Sequence, residues 1–370
     1  MNKHLTPQSN SWVEIDRNAL LHNIAFLMKQ GSNRKKKAIL MLKANAYGHG
    51  LTEVAAAVKD ANISMFAVTS IEDAIKLRDT GATIPILITG STPEHDIRFF
   101  QPLNITATID SFAALEHLVR NRIVCNFHIK IDCGLHRYGF SPTDIPELVQ
   151  WLRRYHLRPE GIYTHYGDAN TNPVRTAEEL AALQMAVETF LAEGFRFDYI
   201  HASNSAGALW LNESFTNAVR IGLAGYGLQP NVEKPVNLIP CLTWRTRIDA
   251  LRFIQKGETA GYGHVWRAKR DSRLAILPTG YSDGLRSRPK RQQNVLCEGS
   301  FITIVGNIMM NHTIVDVTDF PEITIGSIVT IIGRDGEATI SLEDIADQTG
   351  TINEEIVTQI QASIERRLLK

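Results

Sequence analysis

The chain has 370 residues, 39 of them basic and 39 acidic, so its formal net charge is zero. This balance gives no electrostatic reason to expect a nucleic acid or an anionic membrane as a partner. No apolar run approaches the roughly 20 residues of a membrane helix, and the polar start MNKHLTPQSNSW lacks the apolar core of a secretory signal. The four cysteines have no metal-like spacing, so we expect reduced thiols in a cytoplasmic protein.

The length exceeds that of one typical core and predicts two domains. A short strand at 12–15 precedes a predicted helix from Asn18 to about Gln30, with Asp16 as the candidate cap. The basic segment GSNRKKK, residues 31–37, is predicted to be an exposed turn with solvated charges.

From Ala38 onward, short apolar strands alternate with helical patterns for nearly two hundred residues. The strand candidates are 39–42, 65–69, 84–89, 105–109, 127–131, 158–164, 199–202 and 218–223. The helical candidates are 52–59, 71–80, 112–119, 145–155, 177–193 and 206–211. About eight buried strands alternating with helices predict an α/β fold, a parallel (β/α)8 TIM-type barrel.

Near 235–240 the pattern changes, and Gly and Pro separate strand-like segments that have no helices between them. We therefore predict a barrel domain over residues 1–238 and a mainly β domain over 239–370. The first strand, at about 11–15, belongs to either domain. Strands are expected at 242–248, 273–276, 301–305, 313–317 and 328–332, and late helices at 342–348 and 353–368.

Active residues of such barrels lie at or just after the carboxyl ends of the strands. Polar residues recur at these positions, namely Lys43, Lys130 with Asp132, His165, Asn204 with Ser205, and Arg220 with Gly222. Their repetition favours a functional site at the barrel mouth. Lys43 ends the apolar run of AILMLKANAYGHG, residues 38–50, and is either a solvated strand end or a reactive amine. Tyr47 is either a packing aromatic or a ligand of the same site.

The words KANAYGHG closely resemble the cofactor-lysine motif of alanine racemases, which use pyridoxal 5'-phosphate (PLP) to interconvert L- and D-alanine. The resemblance covers almost the whole chain through YTHYGD, HIKIDCGLHRYGF, NSAGAL, RIGLAGYGL, AGYGHVW, PTGYSDG and GNIMMN. It implies a homodimer with shared active sites, in which Lys43 and the partner's Tyr262 act as bases on opposite faces of the substrate. The implied product is D-alanine for peptidoglycan.

The resemblance also assigns the remaining site residues. The implied cofactor ligands are Lys43, Tyr47, His165, Ser205, Arg220, Gly222 and Leu223. The implied substrate ligands are Arg137, Met310 and Tyr281, and Lys130 matches a lysine that is often carbamylated. A hydroxyl before a helix, as at Ser205, favours a phosphate, and Gly222 allows close backbone approach. A lone histidine such as His165 is more often a packed structural residue, and it is the resemblance that implies a hydrogen bond to Tyr262 and a link to Arg220.

Arg220 lies between the apolar Val219 and Ile221, where a surface ion pair is not expected. An arginine opposite the pyridine nitrogen of PLP would stay charged and leave that nitrogen unprotonated. The ring would then be a weaker electron sink, which argues against the related PLP-dependent decarboxylases.

Three positions depart from the family pattern. Asn311 stands where an aspartate is usual, Asn307 stands where many members carry an arginine, and the tail lacks an expected tyrosine near Ala362 and Ser363. These changes leave open a racemase of serine or another small amino acid. A non-catalytic PLP-binding protein is the alternative of another class.

Overall fold

The computed structural model describes residues 9–91, 93–287 and 290–369. The chain divides into two compact units. We call residues 20–46 and 54–238 the barrel unit, and residues 9–19, 47–53 and 239–369 the β unit. The prediction of no secretory signal concerns residues that lie mostly at 1–8, outside the described residues. Within the described ranges, no helix has the length and apolarity needed to span a membrane.

The strands are β1 (Ser11–Asp16), β2 (Lys37–Met41), β3 (Met65–Val68), β4 (Ile86–Ile88), β5 (Ile105–Ile109), β6 (Phe127–Lys130), β7 (Gly161–Tyr163), β8 (Tyr199–His201), β9 (Ala218–Ile221), β10 (Leu242–Arg247), β11 (Ala250–Ile254), β12 (Thr259–Ala260), β13 (Trp266–Arg267), β14 (Ser272–Leu277), β15 (Asn294–Cys297), β16 (Ser300–Val305), β17 (Thr313–Asp316), β18 (Ile328–Asp335), β19 (Ala338–Ile340) and β20 (Glu365–Leu369). The right-handed α-helices are Arg17–Met28, Leu51–Ala57, Ile71–Asp79, Phe112–Arg120, Ile145–Arg154, Pro173–Ala192, Ser205–Trp210, Leu342–Thr349 and Asn353–Thr358.

Strands β2 to β9 form the barrel unit's sheet, and they confirm the predicted parallel barrel. Each strand pairs in parallel with the next, and β9 pairs with β2 to close the barrel. All five residues of β5 are buried, as expected for a sheet covered on both faces. The helix Ile145–Arg154 buries Ile145, Leu148, Val149 and Leu152, the three- and four-residue spacing of a helix face packed on a core.

The β unit contains a ten-stranded sheet with the order β11-β14-β17-β16-β15-β18-β10-β1-β20, with β19 paired to β18. Strand β1 lies in this unit, where it pairs antiparallel with β10 and parallel with β20. The predicted cap is confirmed, because the Asp16 carboxylate accepts from the amide of Ala19 at 3.0 Å. Strands β12 and β13 form a separate two-stranded hairpin.

The prediction of one helix over 353–368 is wrong. The helix ends at Thr358, and residues Glu365–Leu369 form β20. Val13 of β1 is opposite Arg366 of β20, so a strand from the start of the chain supplies the tail with backbone partners. Helical periodicity in the tail could not report this distant pairing.

The predicted solvated turn at 31–37 is only partly correct. Gly31–Lys35 form a 3-10 turn, as expected for a connection. Lys36, however, is only 9% exposed, and its ammonium is paired with the carboxylate of Glu213. Lys37 already belongs to β2, so the charge run continues into the barrel sheet.

Candidate active site

Lys43 follows β2 at the carboxyl end of the strand. Residues Ala44 to Tyr47 then form a left-handed turn, with φ between 52° and 54°. The amide of Ala46 closes the turn by donating to the carbonyl of Leu42 at 2.9 Å. Left-handed backbone costs roughly 1–2 kcal/mol for each residue that has a Cβ, and such strain concentrates at functional sites. The segment beside Lys43 is therefore held in a conformation that its own residues disfavour.

Arg220 lies next to the end of β9 and is only 4% exposed. Its Nη1 donates to Nδ1 of His201 at 2.7 Å. Its Nη2 donates to the carbonyls of Ala202 at 2.7 Å and Thr164 at 2.9 Å. Burial lowers the pKa of Arg220 to about 10, so the guanidinium stays charged at neutral pH. The structure confirms that Arg220 is not a surface ion-pairing residue.

His165 follows β7 and receives a further hydrogen bond from Arg220. The Nη2 atom of Arg220 lies 2.9 Å from Nδ1 of His165. Because Arg220 can only donate, Nδ1 accepts, and the neutral imidazole carries its proton on Nε2. Burial, reinforced by the charge of Arg220, holds the pKa of His165 well below its ordinary value. His165 is therefore a neutral donor whose tautomer is set by Arg220.

Two histidines that our sequence analysis missed extend this network into the barrel. Nε2 of His201 lies 3.0 Å from Nδ1 of His128, whose Nε2 lies 3.3 Å from a carboxylate oxygen of Glu160. Both rings are fully buried, and burial lowers the pKa of each imidazole. Since His201 accepts from Arg220 through Nδ1, it donates through Nε2, and the donors run from Arg220 toward Glu160. A histidine inside each short apolar strand was the available signal.

Lys130, the last residue of β6, is only 1% exposed. Its ammonium donates to the carbonyl of Tyr138 at 2.7 Å and lies 4.3 Å from the centre of that ring. Burial, assisted by the positive charge of Arg137, lowers the pKa of Lys130 to about 8. Arg137 is exposed, with its guanidinium carbon 5.1 Å from the centre of the same ring. The structure thus brings both predicted residues to Tyr138.

Ser205, Gly222 and Leu223 meet beyond β8 and β9. Ser205 is the first residue of the helix Ser205–Trp210, and Leu223 begins a 3-10 turn. The Ser205 hydroxyl oxygen accepts from the amides of Gly222 at 3.3 Å and Ala224 at 3.1 Å. Backbone amides and a hydroxyl gathered at the start of helical turns favour an anion. The predicted cradle residues are therefore adjacent in the barrel unit.

Tyr47 ends the left-handed turn, belongs to the β unit and is 7% exposed. The next residue, Gly48, accepts at its carbonyl a hydrogen bond of 3.0 Å from Nη2 of Arg366. Arg366 belongs to the tail that lacks the family's tyrosine. Ala362 and Ser363, the nearest positions to it in sequence, are exposed. In this chain an arginine of β20 therefore contacts the backbone after Tyr47.

Tyr262, Tyr281 and Met310 belong to the β unit and are 74%, 46% and 57% exposed. The amide of Tyr281 donates to the carbonyl of Met309 at 3.0 Å. A Cβ at Gly280 would lie 2.3 Å from the carbonyl oxygen of Met310, so only glycine allows this approach. The structure therefore brings Tyr281 and Met310 together. Tyr262 lies on the separate loop between β12 and β13.

Two family models match the chain, the alanine racemase N-terminal domain over residues 15–230 and the alanine racemase C-terminal domain over residues 241–368. The chain belongs to the alanine racemase family. The alanine racemase of Methanococcus maripaludis is 32% identical over 365 residues, which cover 96% of this chain and 97% of that relative.

Solved alanine racemase structures have the same fold. That of Clostridium difficile matches with a TM-score of 0.90 at 27% identity, over 98% of this chain and 97% of its own. That of Bacillus anthracis with bound L-Ala-P matches with a TM-score of 0.89 at 28% identity, over 99% and 96% of the two chains. The resemblance read from the sequence is confirmed, and the chain is an isomerase of the amino-acid racemase class.

Proposed function

We propose that this member of the alanine racemase family interconverts L-alanine and D-alanine with PLP bound at the barrel mouth. The observation that carries the proposal is the buried guanidinium of Arg220, held by four hydrogen bonds to neutral groups. A fixed arginine can donate to a pyridine nitrogen without protonating it. A pyridine ring whose nitrogen stays unprotonated is a weak electron sink, and this suits racemisation better than transamination or decarboxylation.

The residues of the site have the chemistry that PLP requires. Lys43 offers an amine for the cofactor aldehyde. The Ser205 hydroxyl, the amides of Gly222 and Leu223, and the Tyr47 hydroxyl would hold the phosphate, and the first two already lie within hydrogen-bond distance of each other. When bound, PLP makes the α-hydrogen of an attached amino acid acidic enough to be removed.

Racemisation requires that a proton leaves one face of the α-carbon and returns to the other. We assign the α-proton of D-alanine to Lys43 and the α-proton of L-alanine, on the opposite face, to the partner subunit's Tyr262. The Tyr262 side chain is 74% exposed within its own chain, which makes its phenol available to a second copy. A homodimer with shared sites follows from this assignment.

His165 would prepare Tyr262 for this role. A phenol ordinarily titrates near ~10, so its ionised form must be favoured if it is to accept a proton near neutral pH. Arg220 fixes the proton of His165 on Nε2, which is then a donor for the phenolic oxygen of the partner subunit's Tyr262. A hydrogen bond to the ionised form lowers the pKa of the group that accepts it.

Substrate binding is assigned to Arg137, to the backbone amide of Met310 and to Tyr281 at the entrance. The forked donors of Arg137 suit a carboxylate. Lys130 has a pKa of about 8, which increases the neutral amine that reacts with carbon dioxide. We therefore propose that Lys130 is carbamylated and that the added negative charge orients Arg137. A carbamate signal in the 13C NMR spectrum of the wild-type protein that is lost in Lys130→Ala would support this proposal. The absence of that signal from the wild-type protein would contradict it.

Serine is the second candidate substrate, because polar groups lie beside Met310. Asn311 Nδ2 donates to the Ser282 hydroxyl oxygen at 2.8 Å, and that hydroxyl donates to the Met310 carbonyl at 2.8 Å. A substrate hydroxyl would find hydrogen-bond partners in such surroundings. A non-catalytic PLP-binding protein is excluded by the match to both racemase domains. A supply of D-alanine for peptidoglycan and a cytoplasmic location stay predictions.

Chiral chromatography tests the substrate directly. The purified protein with PLP is offered L-alanine and L-serine side by side. We expect D-alanine to form at least about tenfold faster than D-serine, the ratio that ~1.4 kcal/mol of discrimination gives. Comparable D-serine formation would make the enzyme a broad racemase. If neither D-alanine nor D-serine formed, the proposed reaction would be overturned.

Mixed dimers test the shared site. In a heterodimer of Lys43→Ala and Tyr262→Phe chains, one site lacks both bases, whereas the other keeps Lys43 and the partner subunit's Tyr262. We expect each variant alone to lose racemisation and the mixture to regain it. Sites contained within single chains would show no recovery, and that outcome would overturn the assignment.

A further inference from the structure

We propose that Asn307 is a positioning residue for Tyr262 and acts through the backbone carbonyl of the tyrosine. The Nδ2 atom of Asn307 donates to the carbonyl oxygen of Tyr262 at 3.0 Å. Both residues belong to the β unit. The inference rests on the proposed function, because that function makes Tyr262 a catalytic base.

The tyrosine loop, residues 261–265, contains little that would hold its own shape. Gly261, Gly263 and His264 have φ values of 77°, 73° and 51°. Two glycines allow this backbone but also leave it many alternatives in the absence of other contacts. The Tyr262 side chain is 74% exposed, so packing within the chain does not fix it. Hydrogen bonds must therefore hold the loop.

The two ends of the tyrosine loop are anchored independently of Asn307. Strands β12 and β13 pair Ala260 with Trp266, and both side chains pack against the core cluster Leu274, Val305 and Ile314. The Thr259 hydroxyl and Nδ1 of His264 lie 2.7 Å apart, which adds a contact between the two ends of the loop. The side-chain amide of Asn307 instead contacts the middle of the loop, at Tyr262, the residue that carries the phenol.

The turn that carries Asn307 is built to lie against the hairpin. Gly306 has φ of 66°, and a Cβ at this position would approach the carbonyl oxygen of Ala260 to 3.0 Å. A glycine before Asn307 thus allows the close approach that brings the amide to Tyr262. Aspartate has nearly the same shape as asparagine but no N–H donor. Asn307→Asp therefore removes the hydrogen bond while preserving the volume of the side chain.

The two bases give this hydrogen bond a specific kinetic signature. In D2O, Lys43 removes the α-proton of D-alanine, exchanges it with solvent and returns a deuteron to the same face. The product is α-deuterated D-alanine, which does not need Tyr262. L-alanine forms only when the partner subunit's Tyr262, whose phenol also carries deuterium in D2O, delivers a deuteron to the opposite face. A loosened Tyr262 therefore raises the ratio of deuterated D-alanine to L-alanine.

The experiment compares this ratio, by NMR and chiral chromatography, in the wild-type holoenzyme and three variants. We expect Asn307→Asp to raise it about threefold to tenfold, the effect of losing one hydrogen bond of ordinary strength. Tyr262→Phe should raise it much further. The control Asn294→Asp adds the same charge to the β unit and keeps an oxygen for the Thr303 hydroxyl, so its ratio should be that of the wild type.

A second readout does not depend on activity. Hydrogen–deuterium exchange of the peptide 259–267 should be faster in Asn307→Asp than in Asn294→Asp. Equal exchange and an unchanged product ratio in Asn307→Asp would overturn the inference while leaving the proposed function intact. An unchanged product ratio in Tyr262→Phe would overturn both.

Discussion

Arg220 of the barrel unit and Tyr262 of the β unit are held in opposite ways. Arg220 is 4% exposed and donates four hydrogen bonds from its own guanidinium. Tyr262 is 74% exposed, and the hydrogen bond described above holds its backbone rather than its phenol. The barrel unit therefore fixes the guanidinium of Arg220 before any ligand arrives, whereas the β unit fixes the backbone of Tyr262 and leaves its phenol exposed.

This difference is what a site shared between subunits would require. A buried cation needs its partners within its own chain, because desolvation is costly until it is compensated. A residue that completes another subunit's site must instead stay exposed in its own chain. Substitutions of these two residues should accordingly have different consequences, with stability affected most at Arg220 and activity at Tyr262.

The largest expected effect on stability is that of Arg220→Met. The substitution leaves the acceptors at His201, His165 and two carbonyls without their donor, although it also removes a desolvated charge. We expect a net loss of about 2–4 kcal/mol in the free energy of unfolding, measured with urea. Tyr262→Phe, the matched change in the β unit, should alter it by less than about 0.5 kcal/mol. Similar values for the two variants would contradict the comparison.

Gly280→Ala tests whether backbone packing positions Tyr281 and Met310 in the β unit. The added methyl would lie 2.2 Å from the carbonyl oxygen of Met309 and 2.3 Å from that of Met310. We expect a loss of about 1–3 kcal/mol in the free energy of unfolding and a raised KM for L-alanine. A variant with unchanged stability and KM would show that the two segments separate at little cost.

The buried histidines predict a pH dependence of stability in the barrel unit. Burial lowers the folded-state pKa of His201 and His128, so below about pH 6.5 the unfolded chain binds protons that the folded chain does not. Above that pH these histidines are neutral in both states, and their contribution to the free energy of unfolding is complete. It decreases by up to about 1.4 kcal/mol per pH unit for each histidine as the pH falls toward the lowered pKa.

Urea unfolding between pH 7.5 and 5.5, chosen to span the ordinary histidine pKa of ~6.5, measures this slope. His201→Gln keeps a donor and an acceptor but cannot titrate, so it should flatten the profile. The control His22→Gln changes an exposed histidine on the helix Arg17–Met28 and should keep the wild-type slope. Parallel profiles for all three proteins would contradict the prediction.

The smallest effect is expected at the left-handed turn beside Lys43. Ala44 is exposed and has φ of 53°, so glycine at this position removes strain without removing packing. Ala44→Gly should raise the free energy of unfolding by about 0.5–1 kcal/mol. Ala181→Gly, an exposed site in the right-handed helix Pro173–Ala192, should lower it by a similar amount. If both substitutions changed the free energy of unfolding in the same direction, the backbone strain inferred at Ala44 would be contradicted.

Much of the barrel unit follows from local patterns. Strands β2 to β9 coincide with short apolar runs, and their alternation with helical segments predicts a parallel barrel. The position of Lys43 after a buried strand and of Arg220 between two apolar residues follows in the same way. These features depend on residues that are close in sequence, so periodicity and composition report them.

Other features depend on pairings between distant residues. The tail forms β20 rather than a helix because β1, more than 300 residues away, offers it a strand edge. The links from Arg220 through His201 and His128 to Glu160 join strands whose spacing in the chain carries no information about contact. Lys36 is buried because Glu213 reaches it.

The barrel and the family could thus be predicted from the amino-acid sequence, because both leave local patterns of apolar and polar positions; the same patterns supplied the candidate site residues, which stay predictions. The neighbours, exposure, tautomer and backbone conformation of each candidate residue came from the folded structure, because hydrogen bonds and burial depend on positions in space. Residues from distant strands share one core, and no local pattern records which of them meet.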